Sequence, residues 1–157
     1  MKRNILNICL VLLMTAACKD VWKTPPSARL IASIKFSLET EPVMLSVKGD
    51  GNDSLLFNME NVQEFGLPLR ANFPDTRYIL AFDTVSVPDI MIIEHQDSLI
   101  YESLESGFYY TFNITKISYS TNRIDSVAMV STTVTEDWHE NIILYLNNLP
   151  DDDADAE

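Results

Sequence analysis

Cysteine is scarce in this chain, and both copies lie near its beginning. Cys9 and Cys18 are the only thiols among 157 residues. No disulfide can therefore form within the long segment after Cys18, and the stability of that segment must come from packing. The same segment offers no cysteine nucleophile and no cysteine ligand for zinc.

Positive charge is also in short supply. The chain carries 11 basic residues against 23 acidic ones, for a formal net charge of −12. A surface of this sign repels phosphate backbones, so we expect no nucleic-acid partner. Part of the excess lies in the closing run "DDDADAE", and residues 149–157 are predicted to form a solvated, disordered acidic tail.

Histidine occurs only as His95 and His139. Neither has further ligands at the spacing that a metal site uses, so no metal and no cofactor are predicted, and both are expected at half-buried or surface positions. There is no Gly-x-Ser-x-Gly motif, and no catalytic residue is assigned. The stretch "GDGND" lacks the spaced acids and the closing glutamate of a calcium loop, and we interpret it as a hairpin turn.

The chain begins like an exported protein. Lys2 and Arg3 precede an apolar stretch at residues 5–14, and small residues follow. A positive start, a short apolar centre and a small-residue cleavage point are typical of a secretory signal peptide, here predicted as residues 1–17. The apolar stretch is too short for a spanning helix, which needs about 20 residues.

The four residues from Thr15 to Cys18 resemble a lipobox, at which bacterial lipoproteins are acylated on cysteine and then cleaved before it. The resemblance implies lipidation of Cys18, and ordinary cleavage after Ala17 is the alternative. Several acyl chains on one residue would give stable membrane anchoring. Residues 18–26 then form a lipidated tether, which Pro25-Pro26 makes stiff and extended.

The rest of the chain has the period of two that is typical of β-strands. Nine strands are predicted, separated by turn signals such as "HQDS": residues 29–38, 43–47, 54–59, 77–82, 90–95, 99–102, 108–115, 123–134 and 142–146. Short, regularly spaced strands without a convincing helix favour a two-sheet antiparallel β-sandwich, immunoglobulin-like, over residues 27–148. A closed β-barrel is the alternative.

A short pattern occurs four times: aspartate, then serine or threonine, then an aliphatic residue. Its hydroxyl residues are Ser54, Thr84, Ser98 and Ser126. The pattern resembles the acceptor motif for O-glycosylation of exported Bacteroidetes proteins, which implies possible glycan sites at these four positions. The alternative is turn chemistry, because aspartate and serine favour turns and an aliphatic residue starts the next strand.

Several stretches, taken in order, resemble a family of small Bacteroidetes lipoproteins of unknown function. They are "PPSARLIASIKF", "FGLPLRANFPDTRYIL", "DSLIYESLESGFYYTFNI", "STNRIDSVAMVSTTV" and "ENIILYL". The likeness covers residues 25–146. Members often have a cysteine before the glycine at Gly107, where this chain has Ser106. The resemblance implies an all-β, lipid-anchored outer-membrane protein, on the periplasmic or the surface side, and it implies no activity.

These observations favour a non-catalytic binding or assembly module with an envelope protein as its partner. A structural envelope component without a small ligand is a further alternative, and Tyr109, Tyr119 and Tyr145 are candidates for its protein interface, unless one sheet face buries them. The alternative is an envelope hydrolase whose site combines scattered carboxylates with His95 or His139. A cleft that holds a histidine and two carboxylates would favour the hydrolase, and an exposed apolar patch would favour the binding module.

Overall fold

The computed structural model describes residues 24–36, 44–51, 54–59 and 61–147. The predicted signal peptide, the lipidation site Cys18, most of the tether and the acidic tail lie outside these ranges. Nothing in the described part therefore bears on their predicted boundaries.

The described residues form an all-β structure with two sheets, one of them curled into a half-barrel. The strands are β1 (Arg29–Phe36), β2 (Leu45–Gly49), β3 (Leu55–Met59), β4 (Glu64–Pro68), β5 (Asp75–Ala81), β6 (Asp89–Ser103), β7 (Gly107–Tyr119), β8 (Ile124–Met129), β9 (Thr133–Val134) and β10 (Glu140–Leu146). One sheet has the order β4-β1-β10-β8 and the other β3-β2-β5-β6-β7-β9. The prediction of an all-β, two-sheet domain is confirmed. No helix long and apolar enough to cross a membrane occurs among the described residues.

The strand count differs from the prediction, with ten described strands rather than nine. The predicted strand at 123–134 divides into β8 and β9, and β4 was not predicted. The prediction of a turn at "HQDS" is wrong, because β6 runs through these residues without a break. Asp97 and Ser98 pair there with Phe112 and Thr111 of β7, so cross-strand pairing overrides the local turn preference of Asp and Ser. The chain reverses only at residues 104–106, ahead of Gly107, whose φ is 78°.

One strand pair corrects the expectation of a purely antiparallel sandwich. β1 and β10 run parallel, with Ile34 opposite Leu144 and Phe36 opposite Leu146. β10 lies inside its sheet between β1 and β8, and most of its residues are buried. A strand covered on both faces has a nearly continuous apolar sequence, as in "ENIILYL", so its direction relative to β1 is not visible in the pattern.

The hydrophobic core lies between the two sheets and takes alternate residues from each strand. Leu30 and Ala32 of β1 meet residues such as Leu80 of β5, Met91 of β6 and Leu144 of β10, and all five are fully buried. Alternation places these side chains on one face because successive residues of a strand point to opposite sides.

A buried carboxylate joins the two sheets at the start of β6. Asp89 is fully buried and accepts hydrogen bonds from the backbone N–H groups of Asn122, Arg123 and Ile124 at 2.8, 2.8 and 3.0 Å. The hydroxyl of Ser120 donates a fourth at 2.6 Å. A buried charge is tolerated when its lone pairs are filled in this way. Asp89 thereby holds the connection that carries the chain from β7 to β8.

An ion pair lies beside this carboxylate. The guanidinium of Arg123 is buried, with its Nε 3.0 Å from Oδ2 of Asp83, and its Nη1 donates to the carbonyl of Asn147. Burial alone would raise the pKa of Asp83, but hydrogen bonds from Ser86 and Val85 and the charge of Arg123 outweigh it and lower that pKa below its ordinary value.

Candidate functional site

The β6–β7 hairpin extends beyond the rest of its sheet. β5 pairs with β6 only as far as Glu94, and β9 pairs with β7 only at Phe112 and Asn113. From the pair Ser98–Thr111 to the turn, the two strands have no other described strand beside them. We call residues 97–111 the projecting hairpin. A two-stranded ribbon alone is marginal in water, so its exposure requires an explanation.

The projecting hairpin carries exposed apolar side chains on the face that continues the core face of β6 and β7. Opposite residues on this face are Leu99 with Tyr110 and Tyr101 with Phe108. The exposed fraction is 55% for Leu99, 53% for Tyr101 and 58% for Phe108, and Leu104 at the turn reaches 94%. The rings of Tyr101 and Phe108 contact each other with centroids 5.2 Å apart. Contiguous exposed apolar side chains of this kind mark interaction sites.

The charge on the projecting hairpin is of one sign. No lysine or arginine occurs between residues 96 and 115, and the acidic residues there are Asp97, Glu102 and Glu105. Partial desolvation and the carboxylates of Glu136, Glu102 and Asp137 raise the pKa of Tyr109 above its ordinary value. Carboxylates from the hairpin and from the loop after β9 therefore create a negative potential at this tyrosine.

The backbone edge of the projecting hairpin that belongs to β6 is open on the side where β5 has ended. The N–H of His95 donates to the carbonyl of Pro74 at 3.0 Å, on the side of β5. Because backbone groups alternate along a strand, those of Asp97, Leu99 and Tyr101 face the same side, where no described strand follows. An edge with unpaired N–H and C=O groups is a template for pairing with another chain.

His95 lies in the middle of β6 and is only 4% exposed, so the expectation of a surface or half-buried position beside a turn is wrong. Its Nε2 lies 2.8 Å from Oγ1 of Thr76, which also accepts the backbone N–H of Arg70 at 2.9 Å. Burial lowers the pKa of His95, and the charges of Asp97 and Asp75 oppose this only in part. The contacts of His95 are those of a packed strand residue.

His139 lies ahead of β10, as predicted, and braces the loop between β9 and β10. Its Nδ1 lies 3.0 Å from the carbonyl of Asp137, and its Nε2 lies 2.8 Å from the carbonyl of Thr133. Neither ring nitrogen contacts a carboxylate. Among the residues that the structure describes, no group of three or more histidine, cysteine or acidic side chains is placed to hold a metal ion.

The four predicted glycosylation positions lie in different parts of the fold. Ser54 precedes β3, and Thr84 lies in the connection from β5 to β6; both are exposed. Ser98 is exposed on the projecting hairpin and not at a turn, and Ser126 is half-buried on β8. The structure does not bring them together, and each stays a separate prediction.

The three tyrosines named from the sequence are half-buried and do not form one surface. Tyr109 belongs to the projecting hairpin, Tyr119 ends β7 opposite Met91, and Tyr145 lies on β10. Of these, only Tyr109 belongs to the candidate interface.

Sequence reasoning missed the apolar surface of the projecting hairpin. Its signal was present, because apolar residues continue at every second position of β6 after the polar pair Asp97-Ser98, at Leu99 and Tyr101, without a glycine or proline. Such alternation predicts one long strand once it is given more weight than the turn preference of four residues.

Fold and surface together define an all-β domain of two sheets with a projecting, acidic and partly apolar hairpin. The chain belongs to a family of unknown function, DUF6452, whose model matches residues 44–146, about two thirds of the chain. The match spans β2 to β10 and thus the whole projecting hairpin. No curated protein and no solved structure matches the chain.

Proposed function

We propose that this protein is a non-catalytic binding module of the cell envelope that docks an extended, basic segment of a protein partner. A lipid on Cys18 anchors it to the outer membrane, as the Bacteroidetes lipoproteins that it resembles suggest. Its sandwich is immunoglobulin-like, as the short, regularly spaced strands of the sequence favour. The observation that carries the proposal is the projecting hairpin, whose apolar side chains are exposed and whose charges are all negative.

The open edge of the projecting hairpin supports strand addition as the mode of docking. A partner strand would take up the outward backbone groups of Asp97, Leu99 and Tyr101, and main-chain hydrogen bonds would supply affinity. Its alternate side chains would cover the exposed faces of Leu99 and Tyr101. Pairing of two copies of this chain is disfavoured, because like charges would face each other.

Charge complementarity selects the partner. The acidic residues Asp97, Glu102 and Glu105 of the projecting hairpin have no lysine or arginine among them, so a lysine or arginine on the added strand would enter a negative potential. The charge term acts mainly on the rate of association and on specificity, and buried apolar area contributes the rest of the affinity.

A peptide titration tests this proposal. We expect an octapeptide of alternating lysine and valine to shift the backbone NMR signals of Asp97, Leu99 and Tyr101, and an alternating glutamate–valine peptide to shift none. Leu99→Pro removes an outward N–H and leaves the ladder to β7, so it should abolish the shifts. Leu99→Ala, its matched control, keeps that N–H and should retain them.

Two results would contradict the proposal. Equal binding of both peptides would show that charge does not select the partner. Shifts spread over the sheets, or unchanged in Leu99→Pro, would show that the open edge is not the docking surface.

The anchor is tested separately. Cys18→Ala should release the protein from the membrane fraction, and the intact mass of the native protein should show acyl chains at Cys18 and any glycan. Protease treatment of whole cells then distinguishes the surface side from the periplasmic side. If the variant still sediments with membranes, residues 1–17 are an uncleaved anchor and the lipid proposal fails.

No contact among the described residues favours the hydrolase alternative. His95 bonds a threonine hydroxyl and His139 contacts two backbone carbonyls, so neither is oriented by a carboxylate.

A further inference from the structure

A groove of about 220 Å³ opens where the loop between β9 and β10 meets the beginning of β1. Arg29 and Ile31 line one side of it, and Glu136, Asp137 and Trp138 line the other. It lies on the outer face of the four-stranded sheet, because the alternate residues of β1 point into the core. This groove is distinct from the open edge of the projecting hairpin.

Each side of the groove contributes one large apolar side chain, Ile31 on one and Trp138 on the other. Ile31 is only 1% exposed although it stands outside the main core cluster, so its cover comes from the outer face. Trp138 is 64% exposed, and its Nε1 donates a hydrogen bond to Oε1 of Glu64 on β4. The hydrogen bond orients the indole while most of the ring stays open to solvent. A large aromatic surface held in this way is a preformed contact area.

The loop that carries Trp138 is braced from below. Asn141 occupies a bulge in the pairing of β1 with β10, accepts the N–H of Ile31 at 2.9 Å and donates to the carbonyl of Thr133 at 2.7 Å. His139 spans the same loop between the carbonyls of Asp137 and Thr133. A loop ordered before binding reduces the entropic cost of taking up a ligand.

The charged groups of the groove have opposite hydrogen-bonding roles, and the hydroxyl residues Ser27 and Thr135 complete its polar lining. The guanidinium of Arg29 only donates, and the carboxylates of Glu136 and Asp137 only accept. A hydroxyl group both donates and accepts, so neighbouring hydroxyls of one ligand can satisfy both kinds of wall. A cation would meet Arg29, and an anion would meet the two carboxylates. The lining therefore fits a neutral polyol.

We infer that the groove binds a pyranose ring of a neutral saccharide. The C–H face of the sugar packs on the indole of Trp138, and its hydroxyls bond Arg29, Glu136 and Asp137. His139 and Asn141 are positioning residues, since they hold the loop and do not line the groove. With this site the module would bind a glycan as well as a protein partner.

Tryptophan fluorescence tests the inference directly. In a Trp22→Phe background Trp138 is the only indole, and its emission should change in titrations with short oligosaccharides of glucose, mannose or N-acetylglucosamine. We expect one of these series to saturate the signal. By calorimetry, Trp138→Ala in the full chain should weaken that binding at least about tenfold, while Trp138→Phe keeps part of it. Urea unfolding of each variant confirms that the domain is intact.

The outcomes separate this inference from the proposed function. Leu99→Pro should bind the saccharide as the native chain does, although it fails to bind the lysine–valine peptide. The inference is overturned if none of the three oligosaccharide series binds, or if Trp138→Ala binds as tightly as the native chain. Binding of tetramethylammonium in place of the sugars would also overturn it, because the groove would then be a cation–π site.

Discussion

The carboxylate of Asp89 accepts the backbone N–H of Arg123 at 2.8 Å, 34 positions along the chain. Asp89 begins β6 of the six-stranded sheet, and Arg123 stands directly before β8 of the four-stranded sheet. The contact joins a side chain of one sheet to the backbone that leads into the other, and no disulfide connects the two sheets. Its acceptor is a fully buried carboxylate that takes four hydrogen bonds, so we expect its loss to lower the stability substantially.

Asp89→Asn should lower the free energy of unfolding by about 2 to 4 kcal/mol. The amide offers one acceptor oxygen to four donors and turns its own N–H₂ toward them. Asp125→Asn, on an exposed position of β8, should change it by no more than about 0.5 kcal/mol. Urea unfolding measures both. Equal effects would show that Asp89 does not clamp the sheets.

His95 should make the stability depend on pH. Burial lowers its pKa in the folded state below the ordinary value of 6.5, so the unfolded chain binds more protons below that pH. The contribution of His95 to the free energy of unfolding therefore rises with pH between its folded-state pKa and 6.5. It is fully present above 6.5 and is lost as the pH falls through the folded-state pKa. The pKa of Asp83 is also lowered, so its contribution to the free energy of unfolding is present above the ordinary value of 3.8. That contribution is lost only in more acidic solution.

Urea unfolding between about pH 7.5 and pH 5 measures this dependence, the window following from the linkage of protons to folding. His95→Gln should flatten the curve there, because it removes the group that titrates. A curve of the same slope in the variant would assign the dependence to other groups.

Gly107 should tolerate a side chain poorly at the turn of the projecting hairpin. Its φ of +78° lies in the left-handed region, although a Cβ would meet nothing within 4 Å. Gly107→Ala should therefore cost about 1 to 2 kcal/mol from backbone strain alone. Gly49→Ala has the same open surroundings without a positive φ and serves as the matched control. The comparison fails if the two variants unfold at the same urea concentration.

Truncating a buried leucine and an exposed leucine should have very different effects on stability. Leu144 is fully buried on β10, and Leu104 is 94% exposed at the hairpin turn. Leu144→Ala should lower the free energy of unfolding by about 2 to 5 kcal/mol through lost contacts and a cavity. Leu104→Ala should leave it within about 0.5 kcal/mol. A large loss in Leu104→Ala would show that the hairpin turn packs against the domain.

Local patterns predicted much of the fold. The alternation of Tyr78, Leu80 and Phe82 identified β5 and its core face, because every second residue of a strand points toward the core. Where two local signals conflicted the sequence was misleading: "HQDS" has turn residues, yet cross-strand pairs with β7 keep it in β6.

The candidate sites were less predictable, because their residues come from distant positions. Trp138 and Glu64 are 74 positions apart and meet only because the strands near them share one sheet. The exposure of Leu99 and Tyr101 depends on where β5 stops pairing, and their own pattern is that of core residues. No spacing of residue types signals either arrangement.

The sequence by itself determined an acidic, all-β domain without a disulfide after Cys18, because composition and the period of two are local properties of the chain. Tertiary structure alone decided the parallel pairing of β1 with β10, the clamp at Asp89, the projecting hairpin and the groove beside Trp138. Each of these depends on which strands become neighbours, and pairing is settled by burial summed over the whole core rather than by any one segment.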